Sequence, residues 1–328
     1  MLLLASLLLL VVRPAQDPRL VPETSAEILR VIDGDTLDVR LDGRSETLRL
    51  LAVDTEEKIS GHVQGSSSKP QTVFGQETAL WARDLFASFP QPARVGLVFP
   101  GGRRRDVFDR LLAHVILPDG RHFNRLLVEL GKSPYFNKYG NDPLAHEAFV
   151  RAQAEARAAR RGIWDPATNR ARTPGAPSAV RPYERLLPWW EARAEAIEGF
   201  RARKRAAPEA LFEDEDVDGW RGAFELGTTA PDRRLTLFGT IDRFYEERDG
   251  SLTVLLQGGD ARSSLRVAVP AGARAEVEPG LRASTREFHQ NYLYVTGRPE
   301  RNGRGFLLTE VGPRDWVLAE PRSPAGPR

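Results

Sequence analysis

Two short acidic stretches, Asp33-Gly34-Asp35-Thr36 and Asp54-Thr55-Glu56-Glu57, lie on either side of a segment that contains Arg49. Carboxylates are hard oxygen donors that suit a hydrated divalent cation, and a further carboxylate beside such an ion can take a proton from water. A guanidinium presents a fork of N–H donors that matches two oxygens of a phosphate. Brought to one point, these residue types are equipped to hydrolyse a phosphate ester. A second basic group follows in Arg103-Arg104-Arg105-Asp106 and Arg110. Each residue also has a plainer reading. Asp33 and Asp35 are then turn acids around Gly34, Arg110 neutralises Asp106 or Asp109, and the arginine run is a solvated hairpin tip.

The elements that would position these groups follow from periodicity. Leu37, Val39 and Leu41 alternate with polar residues, as do Leu48, Leu50 and Ala52, and Asp42-Gly43-Arg44 reads as the turn between two strands. That hairpin puts Asp35 at the start of one strand and Asp54, Thr55 and Glu57 beyond the end of the other, so the acids share one rim. A polar loop, Lys58 to Thr72, comes next. The spacing then predicts a helix over Gly75–Ser88, a strand over Ala93–Phe99 and a strand over Leu111–Leu117. A second helix, with Phe123, Leu126, Leu127 and Leu130 on its apolar side, ends at Gly131. A third runs from Pro143 to Arg161 and stops at Gly162.

Taken together, Asp33-Gly34-Asp35-Thr36, Arg49-Leu50-Leu51-Ala52-Val53-Asp54-Thr55, Glu57, Phe74-Gly75, Glu77, Ala79, Asp106, Arg110 and Gly162-Ile163-Trp164 resemble the staphylococcal (micrococcal) nuclease family, or thermonucleases, over residues 26–166. The resemblance implies an α+β fold, a five-stranded OB-type barrel with three helices. It also implies Ca2+-dependent cleavage of DNA and/or RNA that leaves 3′-phosphate ends. On the matching positions, Asp35 and Asp54 would hold Ca2+ with the main-chain carbonyl of Thr55, and Asp33 would stand behind them. Glu57 would orient or deprotonate the attacking water, and Arg49 and Arg110 would grip the scissile phosphate. Two departures stand out. Glu56 replaces a usual proline beside Glu57, removing a fixed φ. Val107-Phe108-Asp109 replaces a Lys-Tyr-Gly turn, for which Arg103, Arg104 and Arg105 would compensate, and Tyr139 would supply a substrate-side tyrosine. The alternative reading is a catalytically weak nuclease-like module that binds nucleic acid or a protein. Mg2+ or Mn2+ would also accept these ligands.

Composition narrows the rest. The chain has 328 residues and 47 Lys plus Arg against 45 acids, so any attraction to nucleic acid must be local. It has no cysteine, which excludes disulfides, thiolate metal sites, cysteine nucleophiles and a lipoprotein anchor. Residues 1–20 read as a signal or anchor segment around the apolar run Leu2–Val12, and imply export: secretion, a periplasmic location, or tethering by an uncleaved segment.

After the nuclease-like region (21–166), residues 167–232 read as a linker that carries one helix at 183–205, interrupted near Pro188, and the acidic run Glu213–Asp216. Residues 233–318 alternate as five strands, over 234–244, 251–257, 264–269, 291–298 and 305–311, with a connecting helix over 283–288 and a tail at 319–328. This pattern resembles a second OB-like barrel. Such a barrel binds single-stranded nucleic acid through aromatic and basic residues on one face, here Phe244, Tyr292 and Tyr294 with Arg243, Arg266 and Arg298. The other reading packs these aromatics under the linker helix and leaves the barrel to a protein partner. Trp189-Trp190 reads as a staple into a neighbouring core ahead of a base-stacking platform.

Overall fold

The computed structural model describes residues 19–59, 69–101, 104–168, 181–213, 234–257, 265–286, 288–302 and 305–319, with isolated positions between 216 and 225. The apolar N-terminal run expected to direct export lies outside these residues, as do parts of the linker and the tail beyond Ala319. Among the described residues no helix is long and apolar enough to cross a membrane. The chain divides into two units, one comprising Met1–Phe136 with Asp142–Arg181, the other Asn137–Asn141 with Pro182–Arg328.

In the first unit, strands β1 (Thr24–Val31), β2 (Thr36–Leu41), β3 (Arg44–Leu50), β4 (Arg94–Val98) and β5 (Leu111–Ile116) close a barrel in the order β1-β2-β3-β5-β4. The β2–β3 hairpin pairs Thr36 with Arg49 and Leu41 with Arg44, and its turn residues Asp42 and Gly43 both take positive φ (50° and 78°). A tight turn of that hand matches the right-handed twist of the strands it joins. Period-2 alternation sends Leu37, Val39, Leu48 and Leu50 inward, where they meet Val95, Leu97, Ala113 and Val115 in one core. Each large side chain buried in this way is worth about 1.5–3 kcal/mol. Helices α1 (Val73–Ala87), α2 (Phe123–Glu129) and α3 (His146–Ala158) complete the unit, so the expected barrel with three helices is present. Strand β1 was not foreseen. Ala26 is its one fully buried residue, which leaves the alternation too faint to read.

The second unit begins with helix α4 (Tyr183–Ala206). It runs unbroken through Pro188, against the expected interruption. Pro188 is exposed near the helix start, where it forfeits few backbone bonds. Strands β6 (Leu211–Glu213), β7 (Leu235–Gly239), β8 (Ile241–Glu246), β9 (Leu252–Leu256), β10 (Leu265–Val269), β11 (Leu293–Asn302) and β12 (Gly305–Thr309) follow, and β13 (Trp316–Leu318) pairs with β11. The ladder reads β6-β7-β11-β12-β10-β9-β8. Thr240 alone separates β7 from β8, so the path returns to its starting strand. Counted from that bent strand, the order repeats that of the first barrel, and β10–β12 is its parallel pair as β3–β5 is in the first. Helix α5 occupies Ala271–Ser284, not 283–288. It starts directly after Pro270, and Pro279-Gly280 within it obscured its periodicity in the sequence.

Candidate active site

The carboxylates foreseen from the sequence meet at the rim of the first barrel. Asp35 stands just before β2, and its Oδ2 accepts the main-chain N–H of Thr55 at 2.7 Å, which ties the two acidic stretches together. Asp33 accepts from Asp35 N at 3.1 Å. On the other stretch, Asp54 N donates to the buried hydroxyl of Ser133 at 2.8 Å, and Lys58 Nζ donates to the Ile32 carbonyl at 2.5 Å. Arg49, opposite Thr36 in the hairpin, lies between the acids. Its Nη2 is 2.7 Å from Asp54 Oδ1, and Nη1 faces Asp35 Oδ1.

Two cations that the sequence reading missed complete the cluster. Lys69 Nζ lies 3.1 Å from Asp54 Oδ1 and 2.6 Å from Glu57 Oε1. Arg181 donates from Nη1 to the Asp54 main-chain carbonyl at 2.9 Å and sets Nη2 against Asp54 Oδ2. Neither carries a local signal. Lys69 closes a polar loop and Arg181 closes the linker, 127 residues from its partner. The charges explain the protonation states. Burial alone would raise the Asp54 carboxyl, but Arg181, Lys69 and Arg49 hold it well below the usual carboxylate range. Asp35 is lowered against its burial by Arg49 and Lys69. For Asp33 burial comes first and the charge of Asp35 second, and together they push it up to about 7.

Glu57 is aimed by its surroundings rather than by a proline. The neighbouring Glu56 is 1% exposed and accepts the Thr72 hydroxyl at 2.5 Å. That hydroxyl in turn accepts Gly75 N at 2.9 Å and caps the start of α1. Thr72 N also donates to the Glu57 carbonyl at 3.0 Å. Gly75 is required by space, since a Cβ there would sit 2.2 Å from the Glu57 carbonyl oxygen. The loop lacking proline is therefore fastened at both Glu56 and Glu57 to the N-terminus of α1. The Glu57 side chain stays one-third exposed, with water at hand.

Arg110 sits just before β5, in which Leu112 pairs with Arg49. Its guanidinium is engaged by Asp106, with Nε donating to Oδ2 at 2.8 Å, which is the pairing of the plainer reading. The turn carrying it keeps its shape without the glycine. Asp106 accepts the N–H groups of Phe108 and Arg110, and Asp109 adopts φ 64°, which aspartate tolerates. Arg104 and Arg105 do not join the cluster. Arg104 pairs with Glu23 at 2.9 Å, and Arg105 forks onto Glu46 at 2.9 and 3.0 Å.

The aromatic residues expected to meet substrate have the following surroundings. Tyr139 is 63% exposed but falls in the segment assigned to the second unit. Tyr135 is buried, hydrogen-bonded to His146 and stacked on Phe149. Tyr292 and Tyr294 are buried against Phe238, itself stacked on Phe200 of α4. These two tyrosines pack against the linker helix, as one of the two readings has them. Phe244 lies on β8 under the Arg282 guanidinium. These three rings do not form one binding face. The second unit instead has a cavity of about 180 Å³, lined by Lys138, Tyr139, Trp189, Arg193, Asn291 and Tyr292 among others.

The donors suit a hard divalent cation by type. Asp35, Asp54 and the Thr55 carbonyl offer oxygen only, and the ammonium and guanidinium groups already drawn to them mark a place where positive charge is stable. Among the described residues no set of three or more acidic or imidazole side chains is arranged as a metal cluster. Water and substrate oxygens would therefore complete any coordination.

Residues 47–166 match the family model described as staphylococcal nuclease homologue. This stretch carries Arg49, Asp54, Thr55, Glu57 and Arg110, while Asp33 and Asp35 precede it on the same hairpin. The first unit contains a staphylococcal nuclease homologue domain. The chain is 27% identical over 150 residues to an uncharacterized endonuclease of Escherichia coli O157:H7, covering 46% of this chain and 83% of that protein. It is 30% identical over 138 residues to endonuclease YncB of Bacillus subtilis (strain 168), covering 41% of this chain and 59% of that protein. An uncharacterized protein of Bacillus anthracis is 28% identical over 138 residues. The nuclease homologue domain thus accounts for the barrel with the acidic rim, while Arg181 lies beyond the matched residues.

Proposed function

We propose that this chain hydrolyses phosphodiester bonds of DNA and/or RNA with the help of a calcium ion held by Asp35, Asp54 and the Thr55 carbonyl. Its place among nuclease hydrolases rests on the homologue domain and on relatives named as endonucleases. The observation that carries the finer reading is the convergence of Asp35, Arg49, Asp54 and Glu57 on one rim from separate segments. Calcium, when bound, supplies positive charge to the phosphate and acidifies water near it. Glu57, one-third exposed, takes the proton of the attacking water. Arg49 and Arg110 present N–H donors to the phosphate oxygens, on which charge builds in the five-coordinate transition state. Arg110 exchanges Asp106 for phosphate as it does so. The products expected from the family resemblance carry 3′-phosphate ends.

The test is to incubate the purified full chain with single-stranded DNA and with RNA, in Ca2+ or in chelator. Cleavage should require Ca2+ and stop with chelator; equal cleavage in both, or none, rejects the calcium-dependent reading. The second unit is proposed to hold single-stranded nucleic acid at its cavity, where Lys138 lies 4.6 Å from the centre of the half-buried Trp189 ring. A ring beside an ammonium suits a stacked base and its phosphate. Trp189→Ala should then weaken strand binding by about 1–3 kcal/mol in an anisotropy titration, the usual worth of one stacked base. Unchanged affinity would leave that cavity to a protein partner.

A further inference from the structure

The cluster around Asp54 holds one member that the nuclease homologue domain does not supply. Arg181 lies past the end of the matched residues and immediately before Pro182, the residue that opens α4. Its side chain is 3% exposed, and it clasps Asp54 twice, through the main-chain carbonyl and through Oδ2. The other carboxylate oxygen of Asp54 is shared by Arg49 and Lys69. Asp54 therefore has no oxygen that faces away from a protein cation.

We infer that Arg181 is a built-in competitor for the cation: it occupies the ligand Asp54, and a divalent ion gains that carboxylate by displacing it. This rests on the calcium reading given above. The three cations are not equivalent in this respect. Arg49 belongs to the barrel and has Asp35 as a second partner. Lys69 is one-third exposed and can move its ammonium into water. Arg181 is buried, points two N–H donors at one residue, and is fixed by the backbone to the first turn of a long helix. A calcium ion needs oxygens at about 2.3–2.6 Å and is repelled by the positive charge of a guanidinium held against the same Oδ2. Calcium loading is thus coupled to withdrawal of Arg181, and the affinity is lower than the oxygen donors alone would give.

The experiment is a calcium titration of the folded full chain without nucleic acid, followed by calorimetry, with circular dichroism to establish that each variant is folded. Arg181→Gln should bind Ca2+ about 5- to 150-fold more tightly than wild type, the usual range for coupled sites. Arg181→Lys, which keeps the charge, should stay near wild type. Arg181→Met fills similar space without charge and should repeat the gain, so the reading survives a glutamine variant that fails to fold. Equal or weaker Ca2+ binding in a folded neutral variant would overturn the proposal and make Arg181 a support that positions the ligand. Absence of Ca2+ binding in wild type and variants alike would instead remove the calcium site itself, and the competitor with it.

Discussion

Glu57→Gln is expected to lower the single-turnover rate of phosphodiester cleavage by about 10²- to 10⁴-fold, the span over which a positioned general base acts. Glutamine keeps the size of the side chain and can still hydrogen-bond, but it cannot accept the proton of the attacking water. The fold should tolerate the change. The Glu57 side chain is one-third exposed, and it pairs with the Lys69 ammonium, a pair worth little at the surface. Its backbone, which carries the tie to Thr72 and the close contact with Gly75, is untouched. Arg110→Ala makes a parallel case, because one donor aimed at developing charge is worth about 10²- to 10³-fold. Rates near wild type in both variants, measured at saturating Ca2+, would show that the roles assigned to the rim are wrong.

Asp142→Ala is expected to destabilise the first unit by about 1–3 kcal/mol for each main-chain donor that loses its acceptor. Asp142 accepts the N–H groups of Leu144 and Ala145 at 3.1 and 2.7 Å, just ahead of α3. Its Oδ2 lies 2.9 Å from Nε2 of the fully buried His114, at ion-pair distance but off the line of a good hydrogen bond. His114 in turn meets His122 at 3.1 Å. Removal of the carboxylate leaves the two main-chain donors ahead of α3 without their acceptor and takes the carboxylate from beside the buried His114.

The effect should also depend on pH. Burial opposes it, but the His114 contact and the main-chain N–H groups hold the Asp142 carboxyl below its ordinary value. A carboxyl lowered in the folded chain stabilises fully above its unfolded value of about 3.9 and loses that contribution as pH falls through the folded value. The gap between wild type and variant, read from urea unfolding, should therefore be full at neutral pH and narrow below about pH 4. A gap that persists unchanged into acid would assign the loss to packing alone.

What could be read in advance depended on how local each signal was. The β2–β3 hairpin was legible because strict alternation and the Asp42-Gly43 turn agree with each other. The rim acids were legible because they sit within a few residues of strand ends. Lys69 and Arg181 were not, since each meets Asp54 across a long stretch of chain and no spacing rule reports such a meeting. What Glu56 does in place of proline could not be read for the same reason. The loss of proline is visible in sequence, while its tie to Thr72 is a contact across a loop. Tyr292 and Tyr294 show another limit. Alternation in a strand separates two faces but does not say which one a helix will cover, and here α4 covers theirs.

The shared strand order of the two barrels bears on where new chemistry can arise. In the first, Leu51–Thr72 separate β3 from α1, and Asp54, Thr55, Glu57 and Lys69 all lie on that connection. In the second, Pro270 alone joins β10 to α5, and Ser251 stands before β9 where Asp35 stands before β2. The ladders share one frame, and the first differs in the length of the connection between its third strand and the helix that follows, which carries four of the rim residues while Asp35 and Arg49 stay at the strands. A connection of this kind can exchange residues, or borrow one from a distant stretch as it does with Arg181, without disturbing a single strand register.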